Sequence, residues 1–401
     1  MNNFKNIIAN TSLEILFFKF VFYLYLISLT FEAAPYNIAL ALFGLYFLTH
    51  ILIKKKAYIL KQNFLNTKEL SIIFTLIIIS MLLSNFLNPD MDKERWYRIV
   101  YIITRFALVF IALAYFYALG FFSKKEIIIV LFISFFISSF GGIIEVLNHP
   151  SMLSSGKNEG ISGFLYGKRN SFGTIMGFAS ISSIVLFFFK DKKLCILFTL
   201  YFMFFLIFSL SRANWVGFIA ATLIFLVLNF KKFNKKDTIF ALIAIAVTLA
   251  FLALLLMNFE TFQKRLELLL KGYSSYRTTL WEFAIAKIKL SPLFGYGMNA
   301  WEVWRTDKST IVYGHLFTHN LELEILINIG FVGLILCTVF VLIIAKNLWK
   351  SHPEFIPILI YFLVLMQFDQ NPFKAKSTMT YIVFLIFFAF SNKFISKTNK
   401  M

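Results

Sequence analysis

Cysteine is almost absent from this sequence. Cys195 and Cys337 are the only two in 401 residues, and both sit inside apolar runs. That excludes a disulfide framework and leaves no set of thiolates for a metal. Charge is scarce as well: 15% of residues are charged against 59% hydrophobic, and the mean hydropathy is +0.78. Such a balance excludes a soluble globular domain. There is no internal repeat and no low-complexity tail. What fills the chain instead is runs such as VLFISFFISSF, LCILFTLYFMFFLIFSL and TLIFLVLNF. Roughly 20 apolar residues cross about 30 Å of hydrocarbon, so the fold class is an all-α polytopic membrane protein.

Twelve hydrophobic spans are expected, near 15–31, 36–53, 69–87, 99–120, 126–147, 172–189, 193–210, 213–230, 238–258, 321–345, 354–369 and 378–395. The first run is followed closely by a second, which reads as a retained span rather than a cleaved signal peptide, although EAAPY faintly resembles a cleavage site. The net charge of +19 raises nucleic acid as a partner. The basic residues, however, form short clusters between apolar runs, where they set topology. With the N-terminus inside, KKKAYILKQNFLNTK, SKKE, KDKK, KKFNKKD and AKNLWKSHPE become inner connections, and both termini are cytoplasmic. These and the terminal segments hold twenty lysines and no arginine. The chain is expected to be one integral membrane domain, residues 1–401, with a single long outer loop at 259–320 that contains amphipathic surface helices.

All eight arginines fall outside or towards the outer ends of spans: Arg95, Arg98, Arg105, Arg169, Arg212, Arg265, Arg277 and Arg305. Chance is one explanation. The other is an outer surface built for phosphate, because guanidinium is a planar, always-charged fork and lysine is a point charge. In NPDMDKERWYR, the acids Asp90, Asp92 and Glu94 read as a self-paired loop in preference to a D-x-D metal site, with Trp96 and Tyr97 as interface anchors. The segment SSGKNEGISGFLYGKRNS suits either a gating loop or a plain connection, and it brings Lys168 and Arg169 to the mouth of the next span. SLSRANWVGF places Arg212 where one span returns at once into the next. A charge there is either a snorkelling interface arginine or a ligand for an anionic head group.

The long loop carries an amphipathic helix opened by Arg277, with Tyr276, Leu280, Trp281 and Ala284 on a face expected to settle into the membrane interface. Pro292 ends it, and Gly295 and Gly297 permit a tight turn. His319 stands just before the following span. His315, four residues earlier, is spaced to share a helical face with it, but no glutamate follows as H-E-x-x-H requires, and no metal is expected.

These pieces, taken in order as GKRNSFG, SLSRANWVGF, YRTTLWEFAIAKIKLSPLFGYGMNAW and THNLELEILINIGFVGL, resemble the bacterial O-antigen ligase family, to which certain polymerases and protein-glycosylating enzymes are related. The likeness covers about residues 165–340. It implies an enzyme that moves a glycan from undecaprenyl diphosphate to a hydroxyl of lipid A-core, on the periplasmic face of the inner membrane and without metal or other cofactor. The family's functional residues carry over as Arg212, Arg277 and His319. Stabilising the diphosphate then falls to the arginines and deprotonating the acceptor to the histidine. Lys168, Arg169, Arg305, His315 and Asn320 are further candidates for substrate contact. An O-antigen polymerase and a transporter of lipid-linked oligosaccharide are the alternatives. The second would carry charges or broken helices near the midplane.

Overall fold

The structure, a computed structural model, describes residues 12–31, 33–89, 94–149, 160–163, 168–186, 192–236, 276–368 and 376–394, with isolated positions between 238 and 271. Every regular element among these residues is helical: α1 (Leu13–Ser28), α2 (Ala33–Lys54), α3 (Ala57–Asn66), α4 (Lys68–Leu87), α5 (Arg95–Ile102), α6 (Val109–Ala118), α7 (Lys124–Asn148), α8 (Arg169–Val185), α9 (Lys192–Phe208), α10 (Arg212–Asn229), α11 (Arg277–Leu290), α12 (Trp301–Thr306), α13 (Leu321–Ser351), α14 (Ile356–Met366) and α15 (Lys376–Phe390). A π-helical segment, Ile103–Leu108, joins α5 to α6.

Among the described residues, six segments are long and apolar enough to cross a membrane: Ala34–Lys54, Lys68–Leu87, Arg95–Ala118, Lys124–Asn148, Arg212–Lys232 and Leu321–Ser351. Helices α1, α8, α9, α14 and α15 fall on expected spans but are shorter, at 16, 17, 17, 11 and 15 residues. The expected span at 238–258 lies outside the described residues except at isolated positions, as do Asp90, Asp92 and Arg265. All-helical and membrane-spanning therefore hold, while twelve remains an expected number.

Helix packing follows small residues. Gly177 in α8 and Gly217 in α10 both face Tyr361 of α14; a Cβ on Gly177 would lie 2.2 Å from the tyrosine oxygen. Close backbone approach at glycine is the usual way helices associate in a membrane. The Tyr361 hydroxyl is fully buried and donates to Asn214 Oδ1 at 2.7 Å. Helix α4 packs along α13, and α11 lies on the first part of α13.

Two ionisable groups within expected spans are accounted for. Lys19 pairs with Glu126 at 2.5 Å. That carboxylate already belongs to the capping box of α7, accepting from the Ser123 N–H while the Ser123 hydroxyl accepts from the Glu126 N–H. Arg105 corrects the expectation that every arginine lies towards an outer span end. It is only 7% exposed and sits midway along Arg95–Ala118, in the π-helical segment. Its Nη2 donates to Asn37 Oδ1 at 2.6 Å, and its guanidinium carbon lies 3.5 Å from the centre of the Tyr101 ring. The cation is held by an amide and an aromatic face.

The largest departure from the sequence expectation is in α13, which is broken. Gly330 has φ 65° and ψ −166°, outside helical space. The turn Pro292–Gly297 enters the gap. Phe331 N–H donates to Pro292 O at 2.8 Å, Val332 N–H to Leu293 O at 3.2 Å, Tyr296 N–H to Ile327 O at 2.8 Å and Gly297 N–H to Asn328 O at 3.1 Å. Ser84 and Asn85 of α4 complete the joint: the serine hydroxyl lies 2.5 Å from Phe294 O and 2.7 Å from Asn328 O, and Asn85 Oδ1 accepts from Met298 N–H at 2.7 Å. Gly295 and Gly297 have φ of 66° and 93°, which is why glycine is needed there.

A Cβ on Gly330 would lie 2.2 Å from Leu293 O. Gly330→Ala therefore combines a left-handed backbone with a backbone clash, and it should cost about 2–4 kcal/mol. Thermal unfolding of the detergent-solubilised protein would check this, an unchanged midpoint counting against the joint as described.

Candidate active site

His319 lies in the turn Thr318–Asn320 that leads into α13, in left-handed backbone conformation at φ 57°. A non-glycine residue adopts this conformation only when its surroundings impose it. Asn320 is the N-cap, its Oδ1 accepting from Leu323 N–H at 2.9 Å. Asn320 Nδ2 reaches Gln367 Oε1 at 3.3 Å, just beyond the end of α14, and Gln367 Nε2 donates to Glu322 Oε1 at 2.8 Å. The half-buried His319 ring packs against Phe317 at a centroid distance of 4.2 Å, the two planes tilted by 41°. His315 and His319 do not share a helical face as their spacing suggested, because residues 315–320 are not helical.

Two tryptophan N–H groups pin this loop from below. Trp281 Nε1 donates to Thr318 O at 3.0 Å and Trp301 Nε1 to His315 O at 2.8 Å. Trp281 stands one helical turn after Arg277, the first residue of α11, so this bond fixes the arginine-bearing end of α11 beside the histidine turn. The Tyr276 ring, with its residue at φ 66°, lies 6.1 Å from the His315 ring. The expectation that α11 lays its apolar face on lipid is corrected. Leu280, Ala284 and Ile288 are buried against Ala300, Trp301, Trp304, Val312, Leu326 and Ile327, because the joint at Gly330 holds α12 and α13 beneath them. Burial raises the phenol of Tyr296, whose hydroxyl donates to Lys287 O and ties the end of α11 to the same turn.

Arg212 is the first residue of α10, after a turn in which Leu210 has φ 53°. Arg169 is the first residue of α8, and Asn214 joins the two helix starts by donating to Asn170 O at 3.1 Å and Ser211 Oγ at 2.8 Å. Residues 160–163 run over this pair. Ile161 N–H donates to Phe208 O at 2.9 Å, and Glu145 accepts from Ser162 N–H, Ser162 Oγ and Gly163 N–H at 3.0, 2.7 and 2.7 Å. Through Asn214 and Tyr361, the Arg212 turn is fastened to α14, whose far end holds Asn320. Thus Arg169 and Arg212 open adjoining helices, Arg277 is tied to the histidine turn by Trp281, and α14 bridges the two groups. Lys168 is exposed at the mouth of α8. Arg305 makes a two-pronged ion pair with Glu302, so its charge is already answered.

Cations at helix starts oppose the helix dipole and are favourable there only beside an anion. Arginine begins α5, α8, α10 and α11; lysine begins α4, α7, α9 and α15. A basic start is therefore general in this chain. What distinguishes Arg169, Arg212 and Arg277 is the network that links their helices to the His319 turn.

Sequence reading missed a polar ladder on α13. Asn320, Glu324 and Asn328 recur every four residues in an apolar run and so share one face. Glu324, 2% exposed, accepts from the Thr318 N–H; Asn328 Oδ1 accepts from Ala300 N–H at 3.3 Å while its amide donates to Glu324 O. That period of four was the available signal. Among the described residues, no three His, Cys, Asp or Glu side chains gather as a metal site would need.

Comparison with known proteins places these features in context. Residues 195–338 match the O-antigen ligase family model, a stretch that contains Arg212, Arg277, His319 and the whole ladder. An uncharacterized protein of Haemophilus influenzae is 30% identical over 152 residues, covering 33% of this chain and 37% of that protein. The match thus spans about a third of either.

Trp281→Phe keeps the ring packing and removes the donor to Thr318 O. It should loosen residues 313–320 by about 1 kcal/mol, read as faster limited proteolysis within that loop. Unchanged cleavage would show that the indole bond does not hold the turn.

Proposed function

We propose that this integral membrane protein, whose residues 195–338 carry the O-antigen ligase family domain, transfers a glycan from undecaprenyl diphosphate to a hydroxyl of lipid A-core. The observation that carries the proposal is the Trp281–Thr318 bond. It joins a helix that starts with arginine to the turn that presents histidine, in the order the chemistry needs.

Cleaving a sugar–diphosphate bond leaves negative charge on the diphosphate. Arg212 and Arg277 take that charge in fork geometry, and the helix starts they occupy add partial positive charge of their own. Attack by the acceptor hydroxyl requires loss of a proton, which His319 accepts as general base. In-line attack inverts the anomeric centre. Arg169 and Lys168, beside Arg212, serve the donor's phosphates or first sugars; Asn320 and His315 serve the acceptor. The long loop at 259–320 then faces the periplasm, both termini face the cytoplasm, and no metal takes part.

Transport of a lipid-linked oligosaccharide draws support from two features, the break at Gly330 and Arg105 at depth. Both are occupied by the chain itself, the break by the Pro292–Gly297 turn and the arginine by Asn37 and Tyr101. Neither presents an open polar path, which favours chemistry at the head group.

The test is transfer by purified protein between undecaprenyl-diphosphate-linked glycan and lipid A-core, with EDTA present. Wild type should form product and His319→Ala should lose it by at least about a hundredfold. Arg277→Lys should lose about tenfold or more, since an ammonium cannot reproduce a two-pronged contact. Lengthening of the glycan on its polyprenyl carrier would instead mark a polymerase. No transfer to either acceptor would return the transporter reading.

A further inference from the structure

We infer that Glu324 is the positioning residue that holds His319 in its left-handed turn. The inference rests on the proposed role of His319 and concerns a residue that neither the resemblance nor the family match singles out.

The turn is fixed from three sides. Asn320 is tied down as the N-cap of α13 and by Gln367. The Thr318 carbonyl is held by Trp281. The third side is Glu324, whose Oε2 accepts from the Thr318 N–H at 3.3 Å. The Thr318 hydroxyl lies 3.2 Å from the same oxygen and 2.9 Å from Asn320 O, so its one proton serves either acceptor in turn. Thr318 is fully buried and Glu324 is 2% exposed. Without the carboxyl, the Thr318 N–H has no water to turn to. Rotation of the Phe317–Thr318 peptide, which carries that N–H, then relieves the buried donor, and the shifted Thr318 no longer confines the next residue, His319, to the left-handed region, where only its surroundings keep it. Asn320 and Asn328, the other rungs of the ladder, engage their own segments and leave this N–H to Glu324. An acceptor is what the position requires, so an amide should replace the acid and an aliphatic side chain should not.

The experiment pairs a conformational readout with a kinetic one, using the full-length purified chain. Each of the five histidines is labelled with diethyl pyrocarbonate and quantified by mass spectrometry in wild type, Glu324→Gln and Glu324→Leu. Glu324→Leu should change the labelling rate of His319 by about threefold or more, with His315 in the same loop unchanged, while Glu324→Gln stays near wild type. Transfer kinetics should follow. For Glu324→Leu, kcat per folded molecule falls about tenfold with KM for the donor unchanged, and Glu324→Gln restores it. A merely structural role would instead lower yield and thermal midpoint and leave kcat per folded molecule intact. If Glu324→Leu does not fold, Thr318→Val removes the hydroxyl contact alone and should shift His319 labelling in the same direction. A folded Glu324→Leu, or Thr318→Val in its place, with wild-type labelling at His319 overturns the inference; so does altered labelling with unaltered kcat. Transfer that survives His319→Ala would sink the proposed active centre, yet the labelling would still report whether Glu324 holds the turn.

Discussion

The joint at Gly330 is the constraint on which the rest depends. A broken helix among apolar neighbours exposes backbone N–H and C=O groups that lipid cannot satisfy. Here the chain supplies the partners from its own Pro292–Gly297 turn, with Ser84 and Asn85 as braces. The exchange works both ways: the turn gains order from the break, and the break is tolerable only because the turn fills it. Everything presented by the first nine residues of α13, including the N-cap and the ladder, takes its position from this contact.

The candidate centre is consequently assembled from pieces far apart in sequence and fixed mostly by neutral hydrogen bonds. Two indoles, three asparagines, a glutamine and a tyrosine hold the backbone that carries the charged groups. In a water-poor setting such bonds are hard to exchange for solvent and so preserve geometry. The arginines that begin α8, α10 and α11 are placed by those helices, half-buried and against the dipole. That is an arrangement suited to an anion that arrives and leaves.

Much of this was legible in the sequence, and its limits have physical causes. Hydropathy identifies helices because a span needs a long apolar run, and α4, α7, α10 and α13 fall where the runs are. Arg212 and His319 stand out by residue type at span edges, and Arg277 opens the amphipathic helix of the long loop. Gly330 did not, because a glycine within INIGFVGL is equally compatible with a continuous helix, and only the partner turn decides. The apolar face of α11 was legible, but its destination was not: periodicity gives a stripe and is silent on whether lipid or protein covers it. Arg105 was misplaced because hydropathy carries no record of Asn37 and Tyr101, which come from another part of the chain.

Helix length sets the depth at which this chemistry would occur. Lys124, at the start of α7, contacts His352 and Asn392, so α7 and the α14 segment rise from one polar belt. From that level α7 climbs 25 residues, roughly 37 Å, whereas Pro353–Met366 climbs 14, roughly 21 Å. A hydrocarbon layer is about 30 Å thick. By helix rise from that polar belt, Gln367 and with it the Asn320 turn stop roughly 16 Å short of the far end of α7. Under the proposed function a diphosphate head group would have to descend past the end of α7 to meet the histidine, and bilayer thickness would become a variable of the reaction.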